Sequence, residues 1–157
     1  DILMLGVLLH TGKSTINAFR APPPITTTTL PNPYAGIQDA STFLRAQGVS
    51  RADRVQILQS FNPQNMTVRQ AGSSEFGLRF FSDASRPGGS YLFETFPASR
   101  GSLAIKPEWS TMSGFRQFQV RPGATILEGT AAPQGPFLPG GQTQKFILDW
   151  KNNLIDP

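Results

Sequence analysis

The apolar pattern of this chain changes its period near Pro63, and that change limits what the chain can fold into. Upstream, Ile37, Ala40, Phe43 and Leu44 recur at helical spacing, and Gly48 stands where such a helix would end. Ser50 is placed as an N-cap with Asp53 three residues on, Val55, Leu58 and Phe61 extend an apolar face, and Pro63 closes the segment. Downstream the pattern moves towards period two, in short runs at 66–69, 76–81, 91–93, 115–120, 125–131 and 145–148. Turn residues separate the runs: Pro87, Gly88 and Gly89, then Pro122 and Gly123, then a loop with Pro133, Pro136 and Pro139. Residues 107–112 read as a short helix with proline in its first turn. The expected fold is α+β, with two N-terminal helices packed on a small twisted antiparallel sheet.

Length and composition agree with that reading. The 157 residues fit one domain, and 14 prolines with 15 glycines suit a loop-rich, strand-rich chain better than a helical bundle. Residues 20–33 hold Pro22, Pro23, Pro24 and four consecutive threonines, the composition of an extended linker. The expected division is therefore 1–33 as N-terminal segment and linker, and 34–157 as the functional domain. The apolar stretch from Ile2 to Leu9 is too short to span a bilayer and has no charged region before it. The chain starts at Asp1, which reads as a module cut from something larger.

Several chemistries are excluded at once. With no cysteine there is neither a thiol nucleophile nor a thiolate metal site. A single histidine, His10, rules out a two-histidine ribonuclease mechanism and a multi-imidazole zinc site; no metal is expected. The run from Gly6 to Thr15 imitates a phosphate-binding loop, but five residues rather than four precede Gly12 and Lys13. The net charge is +4, and ten of the fourteen cationic residues are arginines spread from Arg20 to Arg121. That excess suits a phosphate-bearing ligand, an acidic partner or RNA without choosing among them.

Candidate site residues come from context. In the last loop, Gly140 and Gly141 permit a close backbone approach to a ligand, and Gln144 follows where the loop becomes a strand; its amide carries both a donor and an acceptor. Arg79 interrupts an apolar run, where it either turns to solvent by alternation or meets an anion in a cleft, with Arg86 as the substitute. Tyr91 follows Gly88, Gly89 and Ser90. Gly89 would let a ligand approach while the ring supplies a stacking surface; the other reading of Tyr91, and of Trp109, is a core aromatic.

As an ordered set these residues resemble a known family. The arginine-bearing strand, the segment Gly88-Gly-Ser-Tyr-Leu92 and the closing Glu128-Gly-Thr-Ala-Ala-Pro133 with Pro139-Gly-Gly-Gln-Thr-Gln144 are similar to the tuberculosis necrotizing toxin family of NAD glycohydrolases. The likeness runs from Phe76 to Leu148. Phrases such as Gln47-Gly-Val-Ser-Arg51 and Ile57-Leu-Gln-Ser-Phe61 also resemble C-terminal modules of contact-dependent inhibition and Rhs-type polymorphic toxins. The resemblance implies an ADP-ribosyltransferase-like or necrotizing-toxin-like fold. It implies hydrolysis of NAD or NADP, as substrate and not cofactor, to nicotinamide and ADP-ribose.

In that scheme Arg79, Tyr91 and Gln144 are the catalytic set, and Arg86, Gly89, Trp109, Gly140 and Gly141 contribute to binding. The family's active site also includes a histidine, and no histidine follows His10 here. The resemblance further implies a cognate immunity protein and delivery by a larger secreted carrier into the cytoplasm of a target cell. Alternatives are an ADP-ribosyltransferase, which would call on Glu94 or Glu128; a tRNA-cleaving ribonuclease, the one reading with a nucleic-acid partner; and a binding module without catalysis.

Overall fold

A computed structural model describes residues 30–82, 88–94 and 99–156; a compact unit spans Asn32–Pro157. In chain order the elements are α1 (Ala35–Ala46), α2 (Arg51–Gln59), β1 (Thr67–Gln70), β2 (Phe76–Phe81), β3 (Tyr91–Phe93), β4 (Gly114–Val120), β5 (Thr125–Thr130), β6 (Thr143–Phe146), α3 (Trp150–Asn153) and β7 (Leu154–Ile155). The seven strands form one antiparallel sheet in the order β1-β5-β6-β3-β2-β4-β7. The α+β architecture with two leading helices is thus observed.

Local chemistry accounts for the helix limits. Ser50 Oγ accepts from the Asp53 amide at 3.1 Å, which satisfies an orphan donor at the start of α2. After α1, Gly48 takes a left-handed φ of 79°, a conformation with little cost for glycine. Helix α2 stops at Gln59, before Pro63. Phe61 is buried and bridges to Ala131, and the Asn62 amide donates to Thr130 O at 2.8 Å, so the chain must leave the helix to join the sheet.

Register assigns each side chain to a face. Leu127, Phe146, Tyr91, Gln144, Phe93 and Leu78 share one face through the pairs Leu127↔Phe146, Tyr91↔Phe146, Phe93↔Gln144 and Leu78↔Phe93. Part of that face packs under the helices, where Ala40, Leu44, Phe61, Met66, Leu127 and Phe146 form a core cluster. Another part is covered by the segment after Ser99, through Leu103 and Ile105 on Leu78 and Phe93. Burial of each large apolar side chain here contributes about 1.5–3 kcal/mol.

The opposite face carries a second apolar cluster, with Leu92, Phe118, Val120 and Ile126 beneath Trp150 and Leu154, and beside it a network of charges. Lys145 is 1% exposed; its Nζ donates to Glu75 Oε1 at 2.6 Å and to Phe76 O at 2.9 Å, with Glu94 at 3.5 Å. Arg69 forks onto both Glu75 and Glu128 with four hydrogen bonds of 2.8–3.0 Å. The Arg69 bonds hold the Glu75 carboxyl down at about 2. Buried charges persist where each has a partner, and these do.

Three details differ from the sequence expectations. Residues 107–112 form turns instead of a helix: Arg100 Nη1 reaches back to Ile105 O and Ser110 O at 3.2 and 2.9 Å, and Met112 has a positive φ. Strand β6 begins two residues earlier than the 145–148 run, because Gln144 pairs with Gly129 on one side and Phe93 on the other. Helix α3 and strand β7 were not anticipated; their segment is short and of mixed polarity, and β7 forms by pairing with the free edge of β4.

Candidate functional site

Between the helical cover and the segment following Ser99 lies a cleft of about 590 Å³, within the range of small-molecule sites. Its walls come from far-apart parts of the chain. Gln56, Gln59 and Ser60 belong to the end of α2, Arg79 and Phe80 to β2, and Tyr91 to β3. Trp109 and Ser110 come from the covering segment, Gln134 from the β5–β6 loop, and Gln144 from β6. Arg79, Tyr91, Trp109 and Gln144 therefore line a single hollow.

Arg79 is the least satisfied group in it. Strands β2 and β3 share one register pair, Leu78↔Phe93, and beyond that pair Arg79 Nη1 donates to Tyr91 O at 3.0 Å. Its Nε is buried with no hydrogen-bond partner, and no carboxylate forms an ion pair with it among the described residues. Burial lowers its pKa, the direction expected when a cation loses water. A guanidinium at a cleft can donate hydrogen bonds to an anion. Alternation from Leu78 alone would turn this side chain to the sheet face opposite Tyr91 and Gln144; it instead lies against Gly89 and Tyr91 O, beyond the one register pair of β2 and β3.

Gly89 serves Arg79 directly. A Cβ at that position would overlap the guanidinium carbon, so glycine is needed for the arginine to lie where it does. Gly89 is not itself among the lining residues. Arg86, the substitute candidate, lies outside the described residues, as does His10.

Tyr91 packs edge-on against Phe146 at 5.0 Å between centroids, so the ring is anchored as a core aromatic while its edge reaches the cleft. Both readings of the residue hold at once. Burial raises its pKa, against a smaller opposing effect of the Ser60 hydroxyl 3.2 Å away. The phenol is therefore neutral near pH 7 and acts as a packing and hydrogen-bonding group, not a base.

Gln144 is 8% exposed, and its Nε2 donates to Ser60 O at 2.7 Å. Trp109 is 56% exposed, with Lys106 Nζ 5.0 Å from its ring, so it is no core residue; it offers an open aromatic surface at the wall.

Gly140 and Gly141 are not among the lining residues. Both have left-handed φ, 68° and 95°, and a Cβ at Gly140 would overlap Ala131 O. Their effect on the cleft is indirect. The tight turn lets Gly140 N and Gln142 N donate to Gly101 O and Ser102 O at 2.8 and 3.0 Å, which stitches the β5–β6 loop to the segment that carries Leu103 through Ser110.

Residues missed from the sequence are Gln56, Gln59, Ser60 and Gln134. Gln56, Gln59 and Ser60 sit within about one turn of helix, a pattern legible only once the adjoining wall is known. Glu94 and Glu128, the carboxylates a transferase would call on, belong to the charge network and do not line the cleft. Among the described residues no three His, Cys, Asp or Glu side chains gather as a metal site, and no helix is long and apolar enough to cross a membrane.

The fold that frames this cleft, one antiparallel sheet with helices over part of one face, occurs in solved proteins. A structure of Tse6 in complex with Tsi6 superposes with a TM-score of 0.63 at 18% identity, covering 82% of this chain and 100% of that one. A structure of Tne2 in complex with Tni2 aligns at a TM-score of 0.49 and 14% identity, over 57% of this chain and 87% of that one. At such identities the likeness to Tse6 is one of fold. No family model and no curated protein matches the chain.

Proposed function

We propose that this chain is the catalytic module of a toxin that hydrolyses NAD or NADP to nicotinamide and ADP-ribose. One observation carries the reading: Arg79, Tyr91 and Gln144, brought from three strands, line the same cleft of about 590 Å³. These are the residues that the resemblance to the necrotizing toxin family selected. The shared fold with Tse6 supports the same reading.

The chemistry asks little proton transfer of the protein. Water forms a bond to the nicotinamide-side C1′ of ribose as the C1′–N bond breaks; nicotinamide leaves with the bonding pair, and the water's proton passes to solvent. The cationic ring is already a good leaving group. The protein has to hold the pyrophosphate, orient the ribose and stabilise an oxocarbenium-like transition state. Arg79 would receive phosphate oxygens on its free N–H groups. Tyr91 and Trp109 would supply ring surfaces for the nicotinamide or ribose and for the other base, and Gln144 would hold a hydroxyl or the attacking water. Glu94 and Glu128 are bound into the charge network, which favours hydrolysis over ADP-ribosyl transfer.

A partner belongs to the proposal as well. Tse6 was solved with Tsi6 bound, and a cognate immunity protein covering this cleft is the corresponding expectation for a module delivered by a larger carrier into a target cell. Incubation with NAD and, in parallel, with total tRNA separates the alternatives. Nicotinamide release without tRNA fragments is expected; fragments alone would favour the ribonuclease, and neither product a binding module. Gln144→Ala should abolish nicotinamide release while circular dichroism is unchanged, and full activity in that variant would remove the site assignment.

A further inference from the structure

By residue type Gln144 can offer a ligand both a donor and an acceptor. The structure assigns it a single polarity: we propose that the Ser60 peptide, at the end of α2, locks the Gln144 carboxamide with its nitrogen on the protein and its oxygen on the cleft. The site then accepts at that point a ligand group that donates hydrogen and rejects one that accepts. On the glycohydrolase reading, on which the identity of that group rests, it is a ribose hydroxyl or the attacking water.

Ser60 O lies 2.7 Å from the Gln144 amide. A backbone carbonyl only accepts, so the group facing it must be nitrogen, and the flip of the amide is decided. The carbonyl is well suited to this. Ser60 is the C-cap of α2, and the last carbonyls of a helix lack intrahelical partners and carry the negative end of its dipole. Ser60 O also accepts from Ala132 N at 2.9 Å, which fixes its place against the β5–β6 loop.

With the nitrogen so held, the oxygen of a cleft-lining side chain makes no hydrogen bond among the described residues. The Ser60 hydroxyl extends the arrangement. It lies 2.6 Å from Ile57 O and 3.2 Å from the Tyr91 phenol. Ser60 thus touches both Tyr91 and Gln144 from the helix side and is a positioning residue.

Gln144→Glu tests the polarity, because a protonated carboxyl reproduces the amide: its O–H donates to Ser60 O while its carbonyl oxygen faces the cleft. An ionised carboxylate instead sets a negative oxygen against the helix-end carbonyl. Among the described residues the titratable groups lining the cleft are Arg79 and Tyr91, and neither side-chain type ordinarily ionises between pH 5 and 8. Nicotinamide release by the variant, relative to wild type at each pH, should be below about 1% at pH 8. It should climb about tenfold per pH unit on lowering the pH until the introduced carboxyl is protonated.

A rise seen in kcat alone identifies the water as the donor, and a fall in KM identifies a ribose hydroxyl; both support the assignment. A flat profile, dead or fully active, overturns it. Should the wild type release no nicotinamide, the glycohydrolase reading fails on its own. The polarity is then read from the Gln144 side-chain NH₂ resonances, assigned by their loss in Gln144→Glu. Hydrogen exchange at least about tenfold slower than in exposed glutamines such as Gln119 is expected, and exchange at their rate overturns the assignment.

Discussion

Two arginines in this one sheet have opposite surroundings. Arg69 has four charge-assisted hydrogen bonds to Glu75 and Glu128, and these raise its pKa. Among the described residues Arg79 has one bond, to a backbone carbonyl, and a buried Nε with none, and burial lowers its pKa. The first arrangement is complete and needs no ligand. The second leaves a buried donor without an acceptor, a state that costs stability. The same residue type thus serves cohesion in one place and, on the proposed function, recognition in the other.

Substitutions can separate the two arginines. Glu75→Gln removes the carboxylate shared by Arg69 and the buried Lys145, and should destabilise the protein by about 3 kcal/mol in urea unfolding. Nicotinamide release per folded molecule should stay within twofold. Arg79→Met should show the reverse, with kcat/KM for NAD down about 100-fold (about 2.7 kcal/mol) and a urea midpoint no lower than wild type, since an unsatisfied buried donor is removed. A fall in both properties for either variant would mean that the two arginines do not divide the roles.

Acid acts on the Arg69 network through Glu75. Glu75 takes up its proton at about 2 in the folded protein against 4.5 for the ordinary side chain. The unfolded chain therefore binds more protons between those values. This carboxylate's contribution is complete above about pH 4.5 and is lost as pH falls towards 2. Unfolding midpoints measured from pH 6 to 2 should follow that slope, and Glu75→Gln should flatten it.

The smallest effect is expected at Ser60. Ser60→Ala removes a hydroxyl that meets the Tyr91 phenol, and should lower kcat about tenfold with KM within twofold, while Ser60→Thr restores most of the rate. An equal loss in Ser60→Thr would assign the residue to packing instead.

Helices α1 and α2, most strand positions and the turns between strands were legible in the sequence because apolar period, an N-cap serine and proline–glycine turns act over a few residues. Ser50 and Gly48 do locally what their types allow. Arg79, Tyr91, Trp109 and Gln144 were legible as polar or amphipathic residues in apolar or glycine-rich settings, and the cleft gathers all four. The glycine doublet misled by one step, since Gly140 shapes a neighbouring segment and not the hollow.

Ser60 was not legible at all. A serine that ends a helix is common, and its value comes from Gln144 and Tyr91, 84 and 31 residues away. Side-chain chemistry and local backbone preference are written residue by residue, so the chain alone determined which elements form and which groups can bind. Whether a guanidinium is paired or orphaned, and which end of an amide meets the solvent, depends on contacts between distant strands, which no local stretch of the chain contains.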